Sequence, residues 1–348
     1  MKIYFMLLIV VLSLVGCSSE EVTIGVVAPL SGGYAEFGQS IVNAISLAAE
    51  DYNFTIVIED EGDCEGKKAA INAVRKLINV DGVDGIVGPL CLGNFQAALP
   101  IALEEGVPLF GEAVTQNNVN SDGLTPEYDA IAIGAFPAPK IWERLAQEAL
   151  KISDEITIIS IIDPAAENNV NSFIKEYEKS GTVVKHYKIS SGADYRTILT
   201  NLNTKLVWPH LTNTNRAQFY KQKEELGVEV IVLGDLWMEI DPSDYIALLG
   251  VSYLNGTIST SFKSTTSPEF TKRFLEEFDS PVMLSVDIAY DLAARSSELF
   301  KECSTTKCVL EGFRGGEYNG VSGDMIFDEN NLRSGETVVK TYVNGVFE

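Results

Sequence analysis

From residue 22 onward, short runs rich in Val, Ile and Phe alternate with longer stretches in which apolar residues recur every three or four positions. The runs at 22–28, 54–59, 85–87 and 107–110 have strand length and β-branched character, whereas 39–52, 66–80 and 94–105 between them are long enough for helices. Strand and helix in regular alternation predict a parallel sheet covered on both faces. The plan recurs at 155–162, 182–188, 206–208 and 229–233, with helical 169–179, 194–203 and 215–226 in between. The same unit is therefore present twice, as a repeat of pattern and not of residues.

Between the two sets, 129–136 is extended and leads through Pro137 and Pro139 into helical 140–151, which reads as a first crossing from lobe to lobe. Residues 254–259 are strand-like, 269–278 and 283–302 helical, and 325–327 and 337–343 close the chain as strands. In the long helical segment Val286, Ala289, Tyr290, Ala293, Leu299 and Phe300 share one side. The expected fold is α/β, with two Rossmann-like lobes whose parallel central sheets are joined by a three-crossing hinge. Residues 22–136 plus 260–331 make the first lobe, and 137–259 plus 332–348 the second. Length agrees, because 348 residues, 46% of them hydrophobic, exceed the ~250–300 at which single cores stop growing. Open parallel sheets take ligands at the carboxyl ends of their strands, here in the cleft between lobes.

The start of the chain has a different character. Lys2 precedes an apolar stretch at 3–15, and Leu14-Val15-Gly16-Cys17 follows, with polar residues to Glu21. The junction resembles the lipobox of a bacterial-type lipoprotein. That resemblance implies a signal peptide at 1–16, a diacylglycerol on Cys17 and a tether at 17–21. An uncleaved anchor or plain secretion are the alternatives, although the stretch is shorter than the ~20 residues of a spanning helix. A net charge of −23 argues against nucleic acid or anionic membrane surfaces as partners, so membrane contact is expected through the N-terminal lipid only.

Setting Cys17 aside leaves Cys64, Cys91, Cys303 and Cys308, an even number suited to an oxidising compartment. Four cysteines allow three pairings, and spacing favours Cys64 with Cys91 and Cys303 with Cys308, worth roughly 3.5 and roughly 2 kcal/mol by loop closure. A metal site competes with this reading, but His186 and His210 are the only histidines and neither stands in a ligand spacing beside the thiols.

The expected strand ends carry Pro29-Leu30-Ser31-Gly32-Gly33-Tyr34-Ala35-Glu36-Phe37-Gly38, then Gly88-Pro89-Leu90-Cys91-Leu92-Gly93-Asn94, then Gly111-Glu112-Ala113-Val114-Thr115. With Asp63-Cys64 and the lobe plan, these turns resemble the type I periplasmic binding proteins of the leucine/isoleucine/valine-binding family, which serve amino-acid ABC transporters. The resemblance runs from about residue 22 to the C-terminus, strong over the first 115 residues and looser after 160.

It implies that the amides of Leu92, Gly93 and Asn94 at a helix start hold the ligand's carboxylate. Leu92 stands where the family usually has serine, and the Asn94 side chain is a further donor. It also implies that a carbonyl in Ala113-Val114-Thr115 takes the ligand's ammonium, with the Thr115 hydroxyl bridging the two charged groups, and that Phe37 forms an aromatic wall. The second lobe departs from the pattern. Glu167 and Thr212 stand at the family's tyrosines, and Leu236 stands at the acid that pairs with the ammonium. Asp235 and Trp237 flank it, and Asp235 takes the role if the loop shifts by one residue. Plain structural roles compete: a Gly-containing turn at 92–94, a helix N-cap at Thr115, a lid over the first helix at Phe37, a solvated turn at Asp235 and packing at Trp237.

Enzyme signatures are missing from the sequence. Residues 62–68, GDCEGKK, have too few residues between the glycines for a phosphate loop and no Ser or Thr after the lysine, and neither G-x-S-x-G nor H-E-x-x-H occurs. The expectation is a non-enzymatic, extracytoplasmic, lipid-anchored solute-binding protein without cofactor, which delivers a branched-chain or related amino acid to an ABC permease. Alternatives are a sensor or amide receptor of the same fold, and an envelope interaction scaffold.

Overall fold

A computed structural model describes residues 21–348 except 63, 65, 121–124, 138, 191, 237, 239–249, 264 and 345. In the first lobe, strands β1 (Thr23–Ala28), β2 (Thr55–Asp60), β3 (Gly85–Val87), β4 (Leu109–Gly111) and β5 (Ala132–Gly134) form one parallel sheet in the order β2-β1-β3-β4-β5. Side chains of successive strand residues point to opposite faces, and the core sorts accordingly. Ile24, Val26, Val87, Phe110 and Ile133 fall in one apolar cluster, and Val27, Ile86, Leu109 and Ala132 in the other. Helix α1 (Ala35–Tyr52) packs with the long helix Val286–Glu302 on the first side, and α2 (Lys67–Lys76) with α3 (Leu92–Glu105) on the second. Unbroken apolar strands such as Val26-Val27-Ala28 thus follow from burial on both faces.

After α4 (Gln116–Val119) and α5 (Thr125–Asp129), the chain enters the second lobe through α6 (Pro139–Ile152). There β6 (Glu155–Ile161), β7 (Thr182–Ile189), β8 (Leu206–His210) and β9 (Ile231–Val232) are parallel in the order β7-β6-β8-β9. This repeats the order of the first four strands and is the physical form of the repeated pattern. Connecting helices are α7 (Pro164–Tyr177), α8 (Arg196–Thr200) and α9 (Asn213–Glu225). Trp208 of β8 stacks against Phe173 of α7 and Trp142 of α6, with ring centroids 4.4 and 5.7 Å away.

β10 (Ile258–Phe262) joins this lobe through a parallel bridge from Leu233 to Ile258, and pairs antiparallel with the strand Thr337–Val343. Thr260 to Phe262, expected in the first lobe, therefore belong to the second, and the return crossing starts after them. Helices Pro268–Phe278, Val286–Glu302 and Thr306–Arg314 and the hairpin of Tyr318–Gly320 with Gly323–Met325 follow. The crossings touch one another. Phe136 of the first meets Phe262 at the second with centroids 5.1 Å apart, Lys263 N donates to Glu336 O at 2.9 Å, and Gly335 lies so close to Pro137 that a Cβ there would stand 2.8 Å from it.

Disulfides join Cys64 to Cys91 and Cys303 to Cys308, with Cα separations of 5.2 and 5.5 Å. These are the pairs that spacing favours. Among the described residues no helix is long and apolar enough to cross a membrane, and no three His, Cys, Asp or Glu side chains gather as a metal site.

Candidate ligand cleft

Because the first sheet is parallel, the carboxyl ends of β1 to β4 share one edge and their turns meet there. Leu30 N and Gly62 N both donate to Asp60 Oδ1, at 2.9 and 2.8 Å, which ties the turn after β1 to the end of β2. Gly88 has φ of +101° and a Cβ there would lie 2.1 Å from Val27 O, so the turn after β3 crosses β1 closely only because it has no side chain at that point. The Cys64–Cys91 bridge then fixes the turn after β2 against the start of α3.

What fills that corner is Glu61. Its side chain is fully buried; Oε1 accepts from Leu90 N at 2.9 Å and Cys91 N at 3.4 Å, and Oε2 from Asn94 Nδ2 at 2.8 Å. Burial pushes its pKa up to about 7 against the pull of these hydrogen bonds. Asn94 is thus engaged internally, its amide with Cys91 O at 2.9 Å and its side chain with Glu61. Among the described residues no partner takes the amides of Leu92 and Gly93, which remain open donors at the first turn of α3.

Thr115 is buried and caps α4, its Oγ1 accepting from Asn118 N at 3.2 Å. The N-cap role is realised, and the hydroxyl keeps its proton for donation. Ala113 is half-buried on the same turn, while Val114 O accepts from Phe136 N at 3.0 Å. Phe37 is 8% exposed and packs in the first apolar cluster, with Ile41 and Leu90 among its members.

In the second lobe Glu167 and Thr212 are exposed. Glu167 pairs with Lys188 of β7, which holds its carboxyl below the ordinary range, and Thr212 Oγ1 accepts from Asn215 Nδ2 at 2.9 Å at the start of α9. Asp235 is 0% exposed and is not a solvated turn residue. Arg216 Nη2 reaches both its oxygens at 2.8 and 2.7 Å, and His210 Nδ1 lies 2.9 Å from Oδ2. The network extends to Leu211 O, 2.6 Å from Arg216 Nη2, and to Asn169 Nδ2, 3.3 Å from His210 Nε2. The acid expected to meet an ammonium is thus already matched by a buried guanidinium. Trp237 and Cys17 lie outside the described residues. Across the cleft, α3 of the first lobe touches α7 of the second.

Sequence reasoning missed two acids, Glu61 and Glu112. Glu112 follows β4 at 1% exposure, and neither of its oxygens makes a hydrogen bond of ordinary geometry with another described residue. Burial pushes its pKa up to about 8, with the Glu61 charge adding and its own amide opposing. The available signal is a lone charge inside the apolar stretch Leu109-Phe110-Gly111-Glu112-Ala113-Val114.

Two lobes that share the order of their first four strands, hinged by three crossings around a cleft, define a bilobed solute-receptor class. The chain belongs to the periplasmic binding protein family, whose pattern matches residues 21–342. It is similar to Leu/Ile/Val-binding protein homolog 3 of Brucella melitensis, 23% identical over 260 residues, which span 71% of this chain and 68% of that relative. A second relative, homolog 7 of Brucella suis, is 28% identical over 47% of this chain and 43% of its own length. Among solved structures, the leucine-binding protein LivK of Thermotoga maritima superposes with a TM-score of 0.79 at 20% identity, covering 94% of this chain and 97% of that one. LivJ of Streptococcus pneumoniae in complex with isoleucine gives 0.78 at 20%, covering 94% and 98%. A solute-binding protein of R. palustris in complex with benzoate gives 0.78 at 15%, covering 94% and 95%.

Proposed function

We propose that this chain is the extracytoplasmic receptor of an ABC importer, held to the membrane by a lipid on Cys17, and that it captures an amino acid in the cleft and presents it to a permease without chemical turnover. The observation that carries this reading is at the ends of the adjacent strands β3 and β4. Two unpartnered amides, of Leu92 and Gly93, open a fourteen-residue helix, and a buried threonine with a hydroxyl proton to give follows the next strand. A helix start of this kind favours a carboxylate through its free N–H groups and its dipole.

The engagement of Asp235 with Arg216 and His210 also suits a second reading, in which the ligand is a carboxylate without an ammonium, such as a benzoate. A thermal-shift panel of amino acids, amides and benzoates decides between them, since a ligand at about 100 times its Kd adds about 2.7 kcal/mol of stability. Stabilisation by an amino acid supports the proposal. Stabilisation by benzoates alone selects the second reading, and no shift with any small molecule leaves the interaction scaffold.

A further inference from the structure

Burying a carboxyl group without a partner is expensive, and folded proteins rarely tolerate it without a use. Glu112 is 1% exposed, and neither of its oxygens makes a hydrogen bond of ordinary geometry with another described residue. It sits at the carboxyl end of β4, one residue before Ala113 and three before Thr115, where a parallel sheet takes its ligand. Its neighbour Glu61 contrasts with it, since three donors hold that carboxyl at the start of α3. On the other side of the cleft, Asp235 is matched by Arg216 and His210. Of these three buried acids, then, one secures the scaffold of the first lobe, one secures the second, and one holds nothing beyond its own backbone amide.

We infer that Glu112 is the acid that receives the cationic group of the ligand, so that the first lobe supplies the countercharge and the receptor selects solutes bearing an ammonium beside a carboxylate. The inference rests on the amino-acid reading above. A buried carboxyl raised to about 8 carries its proton while the cleft is vacant at neutral pH, and an entering ammonium supplies the partner that makes ionisation favourable. The open amides of Leu92 and Gly93 meet the carboxylate of the same molecule, and the two ends of the ligand are told apart by opposite chemistry from adjacent strands. Selection against simple acids follows because they leave Glu112 buried and unpaired, and against neutral amides because they bring no charge to make its ionisation favourable.

The test compares wild-type protein and Glu112→Gln by calorimetry with two probes. One is the amino acid that gives the largest thermal shift; the other is the acid identical to it but for the ammonium, which for L-leucine is 4-methylpentanoate. A charged hydrogen bond is worth about 10- to 150-fold in affinity, so Glu112→Gln should lose that factor for the amino acid and nothing for the acid. Its melting temperature without ligand should be at or above wild type, because the amide is easier to bury; Glu112→Met serves in its place should the glutamine variant fold poorly. Equal losses for both probes, or none for the amino acid, overturn the inference and leave the amino-acid reading standing. Failure of every amino acid to bind the wild type overturns both.

Discussion

Asp235→Asn is the most informative perturbation of the second lobe. The change is nearly isosteric, so little packing is lost, but it removes the charge that Arg216 faces at 2.8 and 2.7 Å in a place where their side chains are 0% and 1% exposed. Leu211 O, at 2.6 Å, and the carbonyl oxygen of the new amide still accept from that guanidinium, but neither carries a countercharge. Removing one partner of such a pair leaves an uncompensated buried charge and costs about 3–5 kcal/mol, whereas replacing both by apolar residues of similar size is nearly neutral. Asp235→Leu with Arg216→Met should therefore recover most of what Asp235→Asn loses. Urea melts followed by tryptophan fluorescence are suited to this, since Trp142 and Trp208 stack together in the second lobe's core. A single variant within about 1 kcal/mol of wild type, the range of a surface pair, would refute the argument, as would a double variant no more stable than the single.

Other outcomes follow from the first lobe and the anchor. Thr115→Ala should cost about 0.5–2 kcal/mol of stability through loss of the α4 cap, and about 10- to 150-fold in affinity for a charged ligand; calorimetry showing unchanged affinity places the ligand elsewhere. Glu61 and Glu112, raised from 4.5 to about 7 and about 8, bind protons in the folded state that the unfolded chain has released, so ligand-free stability should fall as pH rises from about 4.5 to about 8. The urea midpoint should be higher at about pH 5.5 than at about pH 8, with Glu112→Gln flattening the difference; a midpoint that rises over this window contradicts the assignment. Cys17→Ser should abolish lipid labelling and release the protein from the membrane fraction, and a mature product that stays bound would disprove the anchor.

The central strands were legible because both their faces are buried, which writes them as unbroken β-branched runs between turn residues. Elements that depend on distant partners were not. Residues 132–134 read as an extended crossing, yet pair with β4 as a fifth strand, and nothing local distinguishes a connector from an edge strand. The hairpin Tyr318–Gly320 with Gly323–Met325 has strands of three residues, too short for a period to show. The helix Thr306–Arg314 is nine residues long, with only Val309, Leu310 and Phe313 buried, so little of a period shows. At the cleft, the Gly- and Thr-containing turns were visible in the sequence, and so was Asp235. Its engagement by Arg216 was not, since the two lie on different elements and a polar helix offers no reason to send an arginine inward. Glu61 and Glu112 were hidden for the opposite reason: carboxylates are read as surface until a fold encloses them.

The hinge has a mechanical consequence. Its three crossings are laced side to side by Phe136 on Phe262, Lys263 on Glu336 and Gly335 on Pro137. A single tether would let the lobes twist and slide independently, whereas three tethers bonded edge to edge behave as a leaf spring, stiff against shear and torsion and compliant only in bending. Closure is then a motion along one coordinate, and whatever reads the occupied state from outside needs to sense only an angle.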